Sequence, residues 1–161
     1  MLLSLWKDRK GTNMAVDYDP SRFDDTDYTI GVLCSEFYEL FGEKAKETIS
    51  RICYQRGLAL GKRLPKKKDE DFKNAIQSFM AVIEKNKIPA KIVSLEKNKA
   101  IIQGTGCPLG LGGRGRRICE IMMTLDQGII EEASGNKIRF SINKTIAAGD
   151  DFCEVIFEVD E

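Results

Sequence analysis

The chain has 161 residues, 42% hydrophobic and 31% charged, with 25 Lys plus Arg against 25 Asp plus Glu. That is enough chain for one domain with its own core, and the composition excludes intrinsic disorder. The neutral balance supplies no global field to attract nucleic acid or an anionic membrane. Histidine is absent, which removes His-assisted nucleophiles, His general bases and His metal ligands and leaves carboxylates, Lys, Tyr or Cys for any catalysis.

In chain order, residues 1–22 read as an N-terminal extension and 23–161 as a single domain. The apolar opening Met1-Leu2-Leu3-Ser4-Leu5-Trp6 meets Lys7-Asp8-Arg9-Lys10 too soon for a signal-peptide core. No stretch approaches the roughly 20 apolar residues that span a bilayer. The expectation is a cytoplasmic chain without membrane insertion, started at either Met1 or Met14. From Asp27 to Leu64 the spacing is helical, with Ile30, Leu33, Cys34, Phe37, Leu40 and Phe41 on one stripe and Ala45, Ile49, Ile52, Cys53, Leu60 and Leu64 on a second. Gly42 divides the two. Gly57 and Gly61, one turn apart, admit close approach of another helix or a ligand, or mark a fraying end.

Pro65-Lys66-Lys67-Lys68 reads as a solvated connector. Asp69-Glu70-Asp71 then suits the start of a helix carrying Phe72, Ala75, Ile76, Phe79, Met80 and Ile83. The period changes at Ala90. Residues 90–96 and 99–104 read as strands joined at Lys97-Asn98, followed by a glycine-rich loop from Gly104 to Gly113. A helix is expected from Gly115 to Ala133, ended by Ser134-Gly135-Asn136. Ile138, Phe140 and Ile142 alternate as a third strand, and Cys153, Val155, Phe157 and Val159 as a fourth. The fold class is α+β: N-terminal helices packed on a four-stranded antiparallel sheet of order β-β-α-β-β.

Three groups of residues carry candidate chemistry. The glycine loop ends in Arg114, Arg116 and Arg117, where backbone N–H groups and guanidinium groups suit an anion or carboxylate. It is neither a P-loop, which ends Gly-Lys-Ser/Thr, nor a dinucleotide fingerprint. The five cysteines are odd in number and match no disulfide framework, so free thiols are expected. Cys107, Cys119 and Cys153 lie on elements that converge at one end of the sheet. Three thiolates with a carboxylate or water are a zinc ligand set, and a nearby arginine would lower a thiol pKa. Equally, each thiol is a small apolar side chain suited to a core. Cys34 and Cys53, on helix stripes, read as structural. The tandem acids Asp150-Asp151 and Glu131-Glu132 suit acid–base work only if burial separates their pKa values; otherwise they are solvated.

The run Cys107…Cys119…Gly128…Lys144-Thr145-Ile146-Ala147-Ala148-Gly149-Asp150-Asp151-Phe152-Cys153-Glu154-Val155-Ile156-Phe157, with the paired glycines of Gly57-Leu58-Ala59-Leu60-Gly61, resembles the 4-vinyl reductase-like (hydrocarbon-binding) domain superfamily, common in archaea and bacterial regulators. The tail is also similar to aminothiazoline-carboxylate hydrolase-like proteins and to methanogen output domains. The resemblance covers about residues 30–159. It implies a helix-covered antiparallel sheet, usually dimeric, over an apolar pocket, as in transport-particle subunits that hold an acyl chain. It also implies that Gly149, Asp150 and Cys153 form a shared Gly-Asp-x-x-Cys element whose cysteine, with Cys119, takes a metal. Thr145 stands where many members have a further cysteine.

The expected function is therefore binding or sensing of a small hydrophobic or amphipathic molecule by a homodimer. The ligand would lie against Ile138, Phe140, Ile142, Val155 and Phe157, with its polar end at Arg114, Arg116 or Arg117. The alternative is a metal- or thiol-dependent hydrolase of a small substrate using Cys107, Cys119 or Cys153, with zinc as the cofactor. Neither nucleic acid nor membrane is expected as a partner.

Overall fold

The protein is described by a computed structural model covering residues 19–65 and 71–160. Trp6, Met14 and most of the basic connector lie outside the described residues. The helices are α1 (Thr26–Phe41), α2 (Glu43–Gly61), α3 (Phe72–Lys85), α4 (Arg116–Met122) and α5 (Thr124–Ser134), and the strands are β1 (Ala90–Leu95), β2 (Lys99–Gly104), β3 (Ile138–Lys144) and β4 (Cys153–Val159). All pairings are antiparallel, in the order β1-β2-β4-β3, so the last strand lies at the centre.

Local chemistry explains the element ends. Asp25 and Asp71 cap α1 and α3, each side chain accepting backbone N–H groups of the first turn. Gly42 separates α1 from α2 at φ 58°, and Gly135 closes α5 in the left-handed conformation at φ 68°. The helix expected from Gly115 to Ala133 is two. The Thr124 hydroxyl donates to the carbonyls of Ile121 (2.9 Å) and Ser50 (3.0 Å), competing with the helical ladder where α4 hands over to α5.

The core lies between the helices and one face of the sheet. Phe72, Ile76 and Phe79 of α3 are buried against Ala100, Ile102, Val155 and Phe157. Each large apolar side chain withdrawn from water contributes about 1.5–3 kcal/mol. The sheet register carries the same face across three strands, Ala100 opposite Phe157 and Phe157 opposite Phe140.

Gly57 is where the second helix meets α5. A Cβ there would strike the Leu125 carbonyl oxygen, and one on Gly128 would lie 2.6 Å from the Tyr54 carbonyl oxygen. The expected close approach at the paired glycines is thus helix on helix.

The apolar stripe expected on α1 faces outward for much of its length. Leu33 is 67% exposed, Phe37 39%, Leu40 49% and Phe41 52%. The inward positions are Tyr28, Gly31, Val32 and Ser35, because the glycine loop packs so tightly on Gly31 that a Cβ there would meet the Leu109 carbonyl. Residues 19–22, at the end of the expected extension, dock on that loop: Arg22 donates to the Pro108 carbonyl at 3.1 Å and lies over the Tyr28 ring. Among the described residues no helix is long and apolar enough to cross a membrane.

Candidate functional site: a cavity under the helices

A cavity of about 440 Å³ lies between the helices and the sheet. Phe79, Val82 and Ile83 of α3 line one side, Leu60 and Leu64 another, Met123, Leu125 and Ile129 the roof, and Ile102, Val155 and Phe157 the floor. The first half of the glycine loop, from Gly104 to Leu111, contributes Cys107, Pro108 and Leu109. Burial of one helix stripe and one sheet face would normally fill such a space; here the side chains leave room.

The structure distributes the expected site residues unevenly. Phe157 is in the wall, as are Cys107, Cys119 and Cys153, whereas Phe140, Ile138 and Ile142 are not. They belong to the edge strand β3 and pack on the core beside the cavity. The cavity opens instead over β2 and β4.

Arg114, Arg116 and Arg117 are likewise outside the wall, because each is used as a strut. Arg114 pairs with Glu36 (3.4 Å) and Glu39 (3.3 Å) on α1. Arg116 donates to the carbonyls of Ile142 (2.7 Å) and Asn143 (3.1 Å). Arg117 grips both oxygens of Glu43 at 2.8 Å. The cations that do line the cavity are Arg56 and Arg63, seven residues apart on and just beyond α2, either side of Leu60. Arg56 donates to Asp27 at 2.7 Å.

Two of the three cavity thiols, Cys119 and Cys153, meet the buried Thr145. The Thr145 hydroxyl donates to the Cys119 sulfur at 3.2 Å and receives the Cys153 thiol at 4.0 Å, while the Ile146 N–H donates to the Cys153 sulfur at 3.4 Å. The Gly149-Asp150-x-x-Cys153 element builds this corner. Gly149 adopts φ 92°, and the Asp150 carboxylate accepts the Thr145 N–H at 2.7 Å. Asp150 therefore holds a turn.

Among the described residues no group of three or more Cys, Asp or Glu side chains is placed to hold a metal ion. Burial raises the Cys107 thiol, and raises Cys119 to about 11. No arginine is among the main groups acting on them, since the loop arginines are held by Glu36, Glu39, Glu43 and the β3 carbonyls. Protonated thiols are weak nucleophiles and weak ligands. Cys34 and Cys53 face each other across α1 and α2, Cys53 being 3% exposed, in keeping with a structural role.

Of the tandem acids, Glu131 is a strut. Burial alone would raise its pKa. Hydrogen bonds from Tyr54 (2.5 Å), the Ile138 N–H (3.0 Å) and Gln127 (3.1 Å), with Lys137 nearby, bring it below the usual value instead. Besides Asp27, which pairs with Arg56, the carboxyl that lines the cavity is Asp126, which sequence reasoning passed over. Removal from bulk water, reinforced by the charge of Asp27, lifts it to about 7. A signal was legible: Asp126 lies one turn from both Met122 and Ile129, a charge set in an apolar stripe.

Solved structures share this architecture. A trafficking protein particle complex subunit 3 from Naegleria fowleri, covalently bound to palmitic acid, matches with TM-score 0.66 and 17% identity over 84% of this chain and 93% of that one. The phenol-responsive sensory domain of the transcription activator PoxR, solved with phenol, matches with TM-score 0.61 and 12% identity over 83% and 74%. An H-NOX domain from Shewanella oneidensis gives TM-score 0.51 and 16% identity over 95% and 82%. No curated protein sequence matches significantly. The family model described as L-2-amino-thiazoline-4-carboxylic acid hydrolase matches residues 26–157, in agreement with the 4-vinyl reductase-like resemblance of the Gly149–Cys153 region. With its sheet order, its cavity and that match over nearly the whole described domain, the chain belongs to the L-2-amino-thiazoline-4-carboxylic acid hydrolase family.

Proposed function

We propose that this chain is a small-molecule binding or sensing domain whose ligand, largely apolar, occupies the cavity between α2, α3, α5 and the β2–β4 face. The carrying observation is the cavity itself. Its volume of about 440 Å³ falls within the roughly 300–1,000 Å³ typical of ligand sites, and its wall is mostly aliphatic and aromatic with a few polar groups. Neighbours of the same fold, solved with palmitic acid and with phenol, support the reading. Native mass spectrometry of the purified chain, before and after denaturation, tests it. A small molecule released from the wild type and missing from a cavity-filling Val155→Trp variant is the expected result. A wild type that carries nothing and takes up no apolar probe overturns the reading.

The domain works as a homodimer in this reading, with a second copy covering α1. The support is the exposed stripe Leu33, Phe37, Leu40 and Phe41, four large apolar side chains on one face of a surface helix. Sedimentation of the wild type as a dimer, and of Leu33→Glu/Phe37→Glu as a folded monomer, is expected. Identical masses for the two would sink the assignment of this face.

A second reading, a hydrolase using a cavity thiol, is favoured by one observation: Cys107, Cys119, Cys153 and Asp126 line the same space. A thiol raised by burial needs a substrate or an acid–base partner to ionise it. Iodoacetamide labelling that stays slow at pH 7 with substrate candidates present, and unchanged turnover in Cys107→Ser, Cys119→Ser and Cys153→Ser, would remove this reading. Among the described residues no complete zinc set is formed, and the reading rests on the thiols.

A further inference from the structure

Resting on the cavity reading, we infer that Asp126 is the polar anchor of the site and that the ligand is an apolar molecule bearing one hydrogen-bond-donating group, a hydroxyl or an amine, directed at this carboxyl. Asp126 is in the first turn of α5 with its side chain in the cavity wall. Among the described residues no hydrogen bond or ion pair reaches its carboxyl, whereas Glu131, five residues on, takes four donors. A buried polar atom sealed from all partners is also absent among the described residues, so the Asp126 oxygens retain access to the cavity space. An acceptor pair held in an apolar stripe without a protein donor is a cost to the fold, and a ligand donor would offset it.

The surrounding groups narrow the ligand class. The titratable and charged groups about the cavity are Asp27 on α1, Cys53, Arg56 and Arg63 on or next to α2, Cys107 in the loop, Cys119 on α4 and Cys153 on β4. The lining residues of α3, β1 and β2 carry no charge. Arg56, one of the two cations in the wall, is committed to Asp27 at 2.7 Å. An anionic head aimed at Asp126 would meet two carboxyls, whereas a hydroxyl or an amine meets an acceptor. Cys119, seven residues before Asp126 on the same side of the α4–α5 roof, leaves the rest of that face to sulfur and hydrocarbon.

Size-matched probes test the assignment by calorimetry at pH 8, where Asp126 is ionised in the free protein. Toluene reports the cavity; phenol and benzylamine add a hydroxyl or an ammonium to the same ring. Wild type is expected to bind at least one donor probe about ten-fold or more tighter than toluene, the scale of a charge-assisted hydrogen bond. The probe that gains distinguishes hydroxyl from amine. Asp126→Leu should abolish the preference while toluene still binds, and Asp126→Asn, of nearly unchanged shape, should weaken the amine most. Both variants should melt no lower than wild type, which separates an anchor from a structural carboxylate; if Asp126→Leu does not fold, Asp126→Asn gives the reading. Equal binding of toluene and both donor probes to wild type, or a preference that survives in the variants, overturns the assignment while leaving the cavity reading standing. If no probe binds, the cavity reading fails and this inference fails with it.

Discussion

Arg56 on α2 donates from Nη2 to Oδ1 of Asp27 on α1 at 2.7 Å, and both residues line the cavity that Asp126 faces. The pair is partly exposed, so its own contribution to stability is small. Its electrostatic consequence is larger, because the Asp27 charge is one of the two causes that hold the Asp126 carboxyl near 7, the greater being burial. Asp27→Asn is therefore expected to lower the Asp126 pKa without returning it to 3.8. Carboxyl carbon chemical shifts followed from pH 4 to 9 measure this directly. An Asp126 titration unmoved by Asp27→Asn would show that the two groups do not sense one another.

The same raised pKa sets a pH dependence of stability. In the unfolded chain Asp126 ionises near 3.8, and in the folded domain near 7. Below pH 3.8 it is neutral in both states and costs nothing. Between 3.8 and 7 the unfolded chain ionises while the folded domain still holds the proton, so stability falls across this window, and the loss is complete once the folded carboxyl ionises. Replacement by Asn removes that loss. The advantage of Asp126→Asn over wild type should be near zero at pH 4 and grow to a plateau above pH 7, with an upper bound on the order of 4 kcal/mol for a shift of about three units. Urea denaturation at four pH values reads it, and a flat difference would contradict the burial of this group.

The corner under the cavity makes a separate prediction. Thr145 is 1% exposed, its hydroxyl also accepts the Ala147 N–H at 3.2 Å, and Asp150 accepts its backbone N–H. Thr145→Val strands a buried N–H and should cost about 1–3 kcal/mol. Asp150→Ala should cost a similar amount by freeing the turn. Thr145→Cys, by contrast, would place a third sulfur beside Cys119 and Cys153, and should raise zinc uptake above wild type in metal analysis of chelator-free protein. Equal uptake in the two would show that the corner is too loosely spaced for a thiolate set.

The two sets of arginines can be told apart. Arg116→Ala and Arg117→Ala remove struts that tie α4 to β3 and to α2, so they should lower the melting temperature while toluene binding, measured well below it, stays within about two-fold. Arg63→Ala should leave the melting temperature nearly unchanged, and should weaken a probe that places a carboxylate at the rim, such as phenylbutyrate. The reverse pattern would return the anchoring role to the glycine loop.

Much of the architecture was legible in one dimension. Period fixes a helix or a strand locally, so the amphipathic run Phe72–Ile83 and the alternating run Cys153–Phe157 could be assigned from spacing, and hairpin-length connections implied antiparallel pairing. The break at Thr124 was not legible, because it depends on a hydroxyl that also reaches the Ser50 carbonyl on another helix. Nor was the orientation of α1. Its apolar stripe marks a buried face in most helices, yet Gly31 and Ser35 are the positions that go inward, once Leu109 of the distant loop is packed against them.

The site divides in the same way. Chain order brought Cys107, Cys119 and Cys153 to one cavity, since the end of β2, the start of α4 and the start of β4, the strand antiparallel to β2, share an end of the sheet. The arginines Arg114, Arg116 and Arg117 were placed by residue type next to glycines, but a guanidinium goes where its carboxylates and carbonyls are, and those lie on α1, α2 and β3. By itself the sequence determined element type, strand pairing sense and the family signature, because those follow from local periodicity and short spacings. Which side chains leave the cavity unfilled, which carboxyl is left without a donor, and which arginines are already spent were decided only by tertiary structure. Burial and hydrogen-bond pairing are properties of neighbours in space, and these neighbours stand up to 86 residues apart, as Arg22 and Pro108 do.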